Sequence, residues 1–273
     1  MSLPTTPDAD SLAKLDELLS LRDSKWVITV HMDPDYDAIG SALAMSHVLD
    51  QKRIQHVVWI ADNISHGYNF LPGRDRIVNK IPKDYNYTHI MTLDCTHINR
   101  VKEFETLRTD VPLINIDHHA DNSHYGSFNI VCRISSVGEL VGTFCNKLNW
   151  PLSRDIAVNL YAAIIFDTGQ FKYNNTTSDT LKMGAQLMEF DIPHNQISYN
   201  IFDDKSDNYF ELVKIALNNL HLNKELGFAI ATIPNCPPHE GHDIIDFVRQ
   251  IGAAEVVGVI REMAPKKIKV SLR

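Results

Sequence analysis

The sequence contains no apolar run close to the roughly 18 consecutive residues that a membrane-spanning helix requires. Its N-terminal stretch MSLPTTPDADSLAKLDELLS is acidic and amphipathic, whereas a secretory signal peptide places an apolar run after a basic start. Cysteines are few, and none shows the C-x-x-C spacing typical of zinc knuckles or disulfide frameworks: Cys95, Cys132, Cys145 and Cys236. We therefore expect a cytoplasmic protein that neither spans a membrane nor depends on disulfides.

Positive charge is scarce as well. The chain has 26 Lys and Arg residues against 34 Asp and Glu residues, which gives a formal net charge of -8. Proteins that bind long duplex nucleic acid or an anionic membrane usually present a broad basic surface. The visible basic cluster lies in the C-terminal segment and consists of Lys266, Lys267, Lys269 and Arg273. We expect neither long duplex nucleic acid nor a membrane as a partner, whereas a short anionic substrate held through bound cations fits this charge.

Short apolar runs rich in β-branched residues predict strands, and the segments between them have the spacing of helices. The predicted strands in the first part of the chain are WVITV (26–30), HVVWIA (56–61), HIMTL (89–93) and VPLINI (111–116). Helices are predicted at 11–21, 41–49, 155–165 and 178–190. Strands that alternate with helices are typical of βαβ units. The sequence thus predicts an α/β fold with a mostly parallel sheet flanked by helices.

The last part of the chain has a different pattern. A helix is predicted at 206–220, a strand at 225–233, a loop over NCPPHEGHD, a helix at 244–251, and strands in AEVVGVIRE and KIKVSL. We interpret the chain as an N-terminal α/β domain over residues 1–185, a helical connector over 186–222, and a small α+β domain over 223–273.

Acidic and imidazole side chains follow the predicted strands at the point where each strand ends. HMDPDYDAIGS follows the first strand, Asp94 follows HIMTL, Asp117-His118-His119 completes VPLINI, and Asp167 follows a further apolar run. The carboxyl ends of parallel strands meet at one edge, where open α/β sheets bind ligands. Two carboxylates about 4 Å apart repel each other by about 4 kcal/mol at an effective dielectric near 20, so a cation is expected among them. The predicted metal ligands are His31, Asp35, Asp37, Asp94, His118 and Asp167.

Each of these motifs has a plainer interpretation when it is taken alone. A short acidic segment is often a solvated turn or a helix cap, and only the joint placement at one sheet edge favours a metal site. The D-x-D-x-D pattern also occurs in EF-hand loops. Here Ala38 and Ala44 occupy the positions at which that loop requires glycine and glutamate, so an EF-hand is excluded.

The predicted ligand set is too large for a single tetrahedral zinc ion. Carboxylates with some imidazole suit Mn²⁺ or Mg²⁺, with Co²⁺ or Fe²⁺ as alternatives. We expect Asp94 to bridge two divalent cations about 3.5–4 Å apart, the separation used in two-metal phosphoryl chemistry.

Four segments, in this order, resemble motifs of the DHH phosphoesterase family, in particular its RecJ-like DHH/DHHA1 members that act as oligoribonucleases and pAp phosphatases. They are HMDPDYDAIGS, LDC (93–95), IDHH (116–119) and YAAIIFDTGQFKYNNTT (161–177). The resemblance implies Mn²⁺-dependent hydrolysis of short oligoribonucleotides to 5′-nucleotides, or of 3′-phosphoadenosine 5′-phosphate (pAp) to AMP. The substrate partner would then be a short RNA or a nucleotide.

The resemblance also implies roles for individual residues. His31, Asp35 and Asp94 would hold one cation, and Asp94 would share the second with Asp37, His118 and Asp167. His119 would be catalytic and face the substrate phosphate, and Asp117 would orient the histidines. Asp33 occupies a position where the family often has a small polar residue, and it is left out of the ligand set.

The C-terminal VVGVIRE and IKVSLR resemble the start of the family's DHHA1 domain, in which Arg273 would contact the substrate. Relatives continue into a glycine-rich motif beyond this segment, so the resemblance implies an incomplete DHHA1 domain over 223–273. Two alternative functions stay open: an inorganic pyrophosphatase or exopolyphosphatase, and a non-catalytic nucleotide-binding protein on the same fold. The oligomeric state is also open, with a homodimer compatible with the sequence.

Overall fold

Six parallel strands form the main sheet of this computed structural model, which describes residues 3–237, 240–241, 243–252 and 254–273. The spatial order of the strands is β3-β2-β1-β4-β5-β6. In chain order they are β1 (Lys25–Val30), β2 (Gln55–Trp59), β3 (Ile77–Val78), β4 (His89–Leu93), β5 (Leu113–Asp117) and β6 (Phe128–Val131). The strand order changes direction between β1 and β4, and ligands bind at such a switch point in doubly wound sheets. The predicted mostly parallel α/β sheet is confirmed.

The strands read as continuous apolar runs because both faces of the sheet are buried. Ile28 and Met91 belong to an apolar cluster with the main helices, while Val27 and Ile90 belong to a second cluster on the opposite face. The helices of this first unit are α1 (Ala9–Leu18), α2 (Tyr36–Gln51), α3 (Val137–Lys147), α4 (Arg154–Asp167), α5 (Ser178–Met188) and α6 (His194–Ser198). A π-helical turn, Tyr199–Asp203, follows α6.

Helices α2 and α3 pack closely against α4 because glycines, which have no side chain, lie at the contacts between them. A Cβ atom added at Gly40 of α2 would lie 2.6 Å from the main-chain oxygen of Asn159 in α4. One added at Gly138 of α3 would lie 2.5 Å from the Cβ atom of Ala163. The N-terminal halves of α2 and α3 are thereby held against α4.

The chain divides into two compact units, Met1–Asp203 and Asp204–Arg273. The boundary falls inside the segment 186–222, for which the sequence predicts a helical connector. The second unit contains α7 (Asp207–Asn218), β7 (His221–Asn223), β8 (Phe228–Ile233), α8 (Ile244–Val248), β9 (Val256–Ala264) and β10 (Lys267–Leu272). Its four strands form a mixed sheet in the order β10-β9-β8-β7, in which only the β8–β9 pair is parallel.

Helix α2 begins at Tyr36 instead of the predicted Ser41, because the Asp35 carboxylate accepts hydrogen bonds from two main-chain N–H groups of its first turn. Strands β3, β6 and β7 and helices α3 and α6 are additions to the predicted elements. Residues 238, 239 and 242 of the predicted loop NCPPHEGHD lie outside the described residues. Within the described ranges, no helix is both long enough and apolar enough to cross a membrane.

We expect Gly40→Ala to lower the free energy of unfolding by about 1–3 kcal/mol, the usual cost of overpacking, although alanine is the better helix former. Urea unfolding followed by circular dichroism measures the change. Gly252→Ala is the control, since no described atom lies within 4 Å of its added Cβ, and we expect a change below about 0.5 kcal/mol. Equal or greater stability of Gly40→Ala would contradict the tight α2–α4 contact.

Candidate metal centre

The carboxyl ends of three neighbouring strands place the first candidate ligands side by side. Val30, the last residue of β1, pairs with Leu93 of β4, which in turn pairs with Ile116 of β5. The next residues along these strands are His31, Asp94 and Asp117, and they therefore lie at one level of the sheet edge.

All six predicted ligand residues lie together there, and we call them the rim cluster: His31, Asp35, Asp37, Asp94, His118 and Asp167. His31 Nε2 is 3.5 Å from Asp94 Oδ2 and 3.9 Å from Asp35 Oδ2. His118 Nε2 is 3.5 Å from Asp94 Oδ1 and 3.2 Å from Asp167 Oδ2. The two oxygens of Asp94 thus face different histidines.

The rim cluster divides into two adjacent groups of donor atoms. In each of the sets His31/Asp35/Asp94 and Asp37/His118/Asp167, one donor atom per residue lies within 4.8 Å of the others. A third set of the same kind comprises Asp94, Asp117, His118 and His119.

Asp37 is completely buried and is held by a helix more distant in sequence. Its two carboxylate oxygens accept hydrogen bonds of 2.8 Å from the main-chain N–H groups of Val137 and Gly138, which open α3. Ser41, one turn along α2, donates to the same carboxylate at 3.2 Å. The N-terminus of a helix carries partial positive charge, and it stabilises this carboxylate. The sequence did not predict Val137 and Gly138 as partners of Asp37, although Ser136 followed three residues later by Glu139 is a recognisable start of a helix.

Asp94 has a left-handed main-chain conformation with φ 55, which is uncommon for residues other than glycine. Its main-chain N–H donates to the Ile116 oxygen at 3.0 Å, so the β4–β5 ladder continues through this residue. Aspartate and asparagine tolerate this conformation better than most side chains do. The turn directs the Asp94 carboxylate between His31 and His118.

Asp117 lies behind the rim cluster and is also fully buried. Its Oδ1 atom accepts a hydrogen bond from the His118 main-chain N–H at 2.8 Å and lies 2.8 Å from His119 Nδ1. The amide of Asn122 donates to the other carboxylate oxygen and to the Asn115 side chain. Asp117 therefore orients His119, and Asn122, which the sequence analysis missed, holds Asp117 in place.

The donor chemistry of the rim cluster fits a cation. His31 Nδ1 lies 2.8 Å from the Met32 oxygen and His118 Nδ1 lies 3.2 Å from the Ile134 oxygen, contacts that require a proton on Nδ1. In the neutral imidazoles Nε2 then carries a lone pair and no proton. It faces carboxylate oxygens, which are also acceptors, so neither atom can donate a hydrogen bond to the other. Asp94 Oδ1 and His118 Nε2 are buried and have no hydrogen-bond partner among the described residues. The cluster could hold metal.

The charges of the cluster shift several pKa values. Burial, followed by the neighbouring carboxylates, raises the pKa of Asp37 and of Asp167 well above the usual range. Burial alone would lower the pKa of His31, but its hydrogen bond with Asp94 and the charges of Asp35 and Asp94 raise it to about 8. Without a metal, a proton on His31 therefore offsets part of the carboxylate repulsion.

Arg273, the predicted substrate contact, is an exposed residue of the second unit. It pairs with Val257 through two main-chain hydrogen bonds, and its guanidinium donates to the Leu272 oxygen at 3.2 Å. Its contact with substrate stays a prediction.

Comparisons with known proteins identify relatives of the chain. The family model "DHH family, N-terminal domain" matches residues 25–164. Two curated relatives are each 27% identical to this chain in sequence. The probable bifunctional oligoribonuclease and PAP phosphatase NrnA of Streptococcus mutans matches 90% of this chain and 80% of its own length. For the bifunctional oligoribonuclease and PAP phosphatase NrnA of Thermus thermophilus, the shares are 94% and 78%.

Solved structures show the same fold. An exopolyphosphatase-related protein from Bacteroides fragilis has a TM-score of 0.89 at 22% identity, over 99% of this chain and 85% of that one. RecJ from Thermus thermophilus in complex with Mn²⁺ has a TM-score of 0.50 at 12% identity, over 94% of this chain and 47% of that one.

We expect Mn²⁺ to raise the Tm of the EDTA-treated protein, because a cation that binds the folded cluster stabilises the folded state. Asp94→Asn should lose most of this shift, since it removes the shared carboxylate charge. Asp33→Asn is a matched control: Asp33 is exposed and has a φ of 52, so both substitutions keep a left-handed conformation that asparagine tolerates. Differential scanning fluorimetry checks this. A full Mn²⁺ shift in Asp94→Asn would mean that the metal binds elsewhere.

Proposed function

The chain belongs to the DHH family, and from that premise we propose that it is a two-metal phosphoesterase that hydrolyses short oligoribonucleotides to 5′-nucleotides and pAp to AMP. The observation that carries this proposal is the placement of the two Asp94 oxygens, 3.5 Å from His31 Nε2 on one side and 3.5 Å from His118 Nε2 on the other. One carboxylate is thereby available to two neighbouring cation positions, as two-metal phosphoryl chemistry requires.

The ligand sets that we propose follow the two halves of the rim cluster. His31 and Asp35 would hold one cation with Asp94, and Asp37, His118 and Asp167 would hold the other with the same Asp94. When bound, such cations supply Lewis acidity that lowers the pKa of a coordinated water to about 7 and offsets charge on the phosphoryl oxygens. Mn²⁺ is the ion we propose first, with Mg²⁺, Co²⁺ and Fe²⁺ as alternatives.

His119 is placed to act on the substrate phosphate. Its side chain is 40% exposed, its Nδ1 lies 2.8 Å from Asp117 and 3.4 Å from Asp94, and its Nε2 is directed away from that bond. Burial lowers the pKa of His119, but the hydrogen bond with Asp117 and the charge of Asp94 raise it to about 9. In the metal-free cluster the His119 imidazole is therefore protonated at neutral pH. Nε2–H can donate to a non-bridging phosphate oxygen or protonate the leaving oxygen.

The charge of the chain supports a small substrate. With a formal net charge of -8, the protein lacks the excess of basic residues that a groove for long nucleic acid needs. The two relatives at 27% identity carry names that specify oligoribonuclease and PAP phosphatase activity. The Bacteroides structure is titled exopolyphosphatase-related but is 22% identical, and so it informs the fold only. Short RNA and pAp are therefore the substrates we propose.

We expect the protein with Mn²⁺ to hydrolyse pAp and a diribonucleotide faster than a cyclic dinucleotide or pyrophosphate. Asp94→Ala should reduce these rates to background while the circular dichroism spectrum is retained, and Asp33→Asn should keep wild-type rates. Chromatography of the products and a phosphate assay measure the outcome. Pyrophosphate as the preferred substrate would favour the pyrophosphatase alternative. Nucleotide binding without turnover would favour a binding protein.

We expect Asp117→Asn to lower kcat about 10- to 100-fold, as is usual when the partner that orients a catalytic histidine is changed. Asp117 accepts hydrogen bonds at both carboxylate oxygens and an asparagine amide can accept at only one, so either His119 or Asn122 loses its acceptor. Its Mn²⁺-induced Tm shift should stay close to that of the wild type, because Asp117 lies outside the proposed ligand set. Wild-type kcat in this variant would contradict the proposed role of Asp117 in orienting His119.

A further inference from the structure

Four aromatic side chains form a continuous surface beside the rim cluster, and we call it the aromatic wall: Tyr36, Tyr68, Phe70 and Phe166. The Tyr36 ring lies at its centre. Its centroid is 4.4 Å from that of Tyr68, 5.9 Å from that of Phe70 and 5.5 Å from that of Phe166. These separations are typical of packed aromatic pairs.

The wall is joined to the proposed ligands through the main chain. Tyr36 stands between Asp35 and Asp37, and Phe166 directly precedes Asp167. Successive Cα atoms are about 3.8 Å apart, so the two rings begin one residue away from carboxylates of the cluster. The main chains of Tyr36 and Phe166 therefore lie next to the side of the cluster that Asp35 and Asp167 form.

Two hydrogen bonds fix the rings in position. The Tyr68 hydroxyl donates to the Pro34 oxygen at 2.9 Å, and the Tyr36 hydroxyl donates to the Gly67 oxygen at 3.2 Å. A Cβ atom added at Gly67 would lie 3.2 Å from the Tyr36 hydroxyl, so glycine allows this approach. The segment after β2 is thus tied to the loop that carries Asp35, and the rings are ordered before a ligand arrives.

None of the four rings is fully buried, although each packs against the apolar core. Partly exposed aromatic rings beside a phosphate site are what proteins use to stack nucleobases, because every base has a π-face. A base joined to its phosphate through one ribose needs a platform close to the phosphate site. The aromatic wall meets this requirement.

We propose that the aromatic wall binds the nucleobase of the nucleotide whose phosphate is held at the rim cluster, with Tyr36 and Phe166 as the rings that contact it. This proposal rests on the proposed function, and it names the nucleobase as a part of the substrate that the protein recognises. Since stacking grows with the area of the base, purine nucleotides should bind more tightly than pyrimidine nucleotides at this position. Because stacking tolerates any base, the preference should be graded and not absolute.

The test compares kcat/KM for pAp with kcat/KM for its base-free analogue, ribose 3,5-bisphosphate, in Mn²⁺. We expect Tyr36→Leu and Phe166→Leu to reduce this ratio about tenfold, because leucine keeps bulk but has no π-face. Tyr36→Phe should keep the ratio, since it retains the ring and removes the hydroxyl that donates to the Gly67 oxygen. Phe104→Leu, at a partly buried ring of the other apolar cluster, is the control and should leave the ratio at its wild-type value.

Binding of AMP to the Mg²⁺-loaded wild-type protein provides a second readout that needs no turnover. We expect upfield ring-current shifts of the adenine H2 and H8 protons, with intermolecular NOEs to the Tyr36 and Phe166 rings. Their absence overturns the proposal even where a leucine variant fails to fold. An unchanged pAp ratio in two folded leucine variants overturns it as well. Failure of the proposed function is distinct, because then neither pAp nor its base-free analogue is hydrolysed.

Discussion

Repulsion among four carboxylates at one edge of a sheet is the constraint on which this structure depends. Asp35, Asp37, Asp94 and Asp167 come from α2, the end of β4 and the end of α4. Their gathering is unfavourable in the absence of positive charge, and it is reflected in the raised pKa of Asp37 and of Asp167. Protonated histidines offset part of this cost, the N-terminus of α3 offsets another part at Asp37, and bound divalent cations can offset the rest.

The fold supplies this arrangement by ordinary means. A parallel sheet brings the carboxyl ends of β1, β4 and β5 to one level, and the change of strand order between β1 and β4 opens the edge there. Glycines at the helix contacts let α2 and α3 approach α4, so that Asp37 and Asp167 complete the set. The candidate ligand side chains lie at the ends of strands and helices, and the packed interior of the sheet fixes the distances between them.

The parts of the fold and site that could be predicted are those encoded locally. Strand β4 has the predicted bounds, and β1 begins one residue earlier, because strands buried on both faces appear as unbroken apolar runs. Strand β3 has two residues and β6 has four, too few for a pattern to be recognised. The meeting of His31, Asp94 and His118 at one edge followed from the strand ends, whereas Asp167 lies at the end of helix α4. Contacts between distant segments, such as that between Asp37 and Gly138, depend on packing and leave no local signal.

Asp37 also couples two parts of the chain that are far apart in sequence. The Asp37 carboxylate faces the rim cluster and also accepts hydrogen bonds from the first N–H groups of α3. A change in the charge of this carboxylate therefore changes the strength of those hydrogen bonds. If a cation binds Asp37, order at the start of α3 and occupancy of the centre are linked thermodynamically. Hydrogen exchange at the amides of Val137 and Gly138 would therefore report the charge state of a site to which neither residue contributes a side chain.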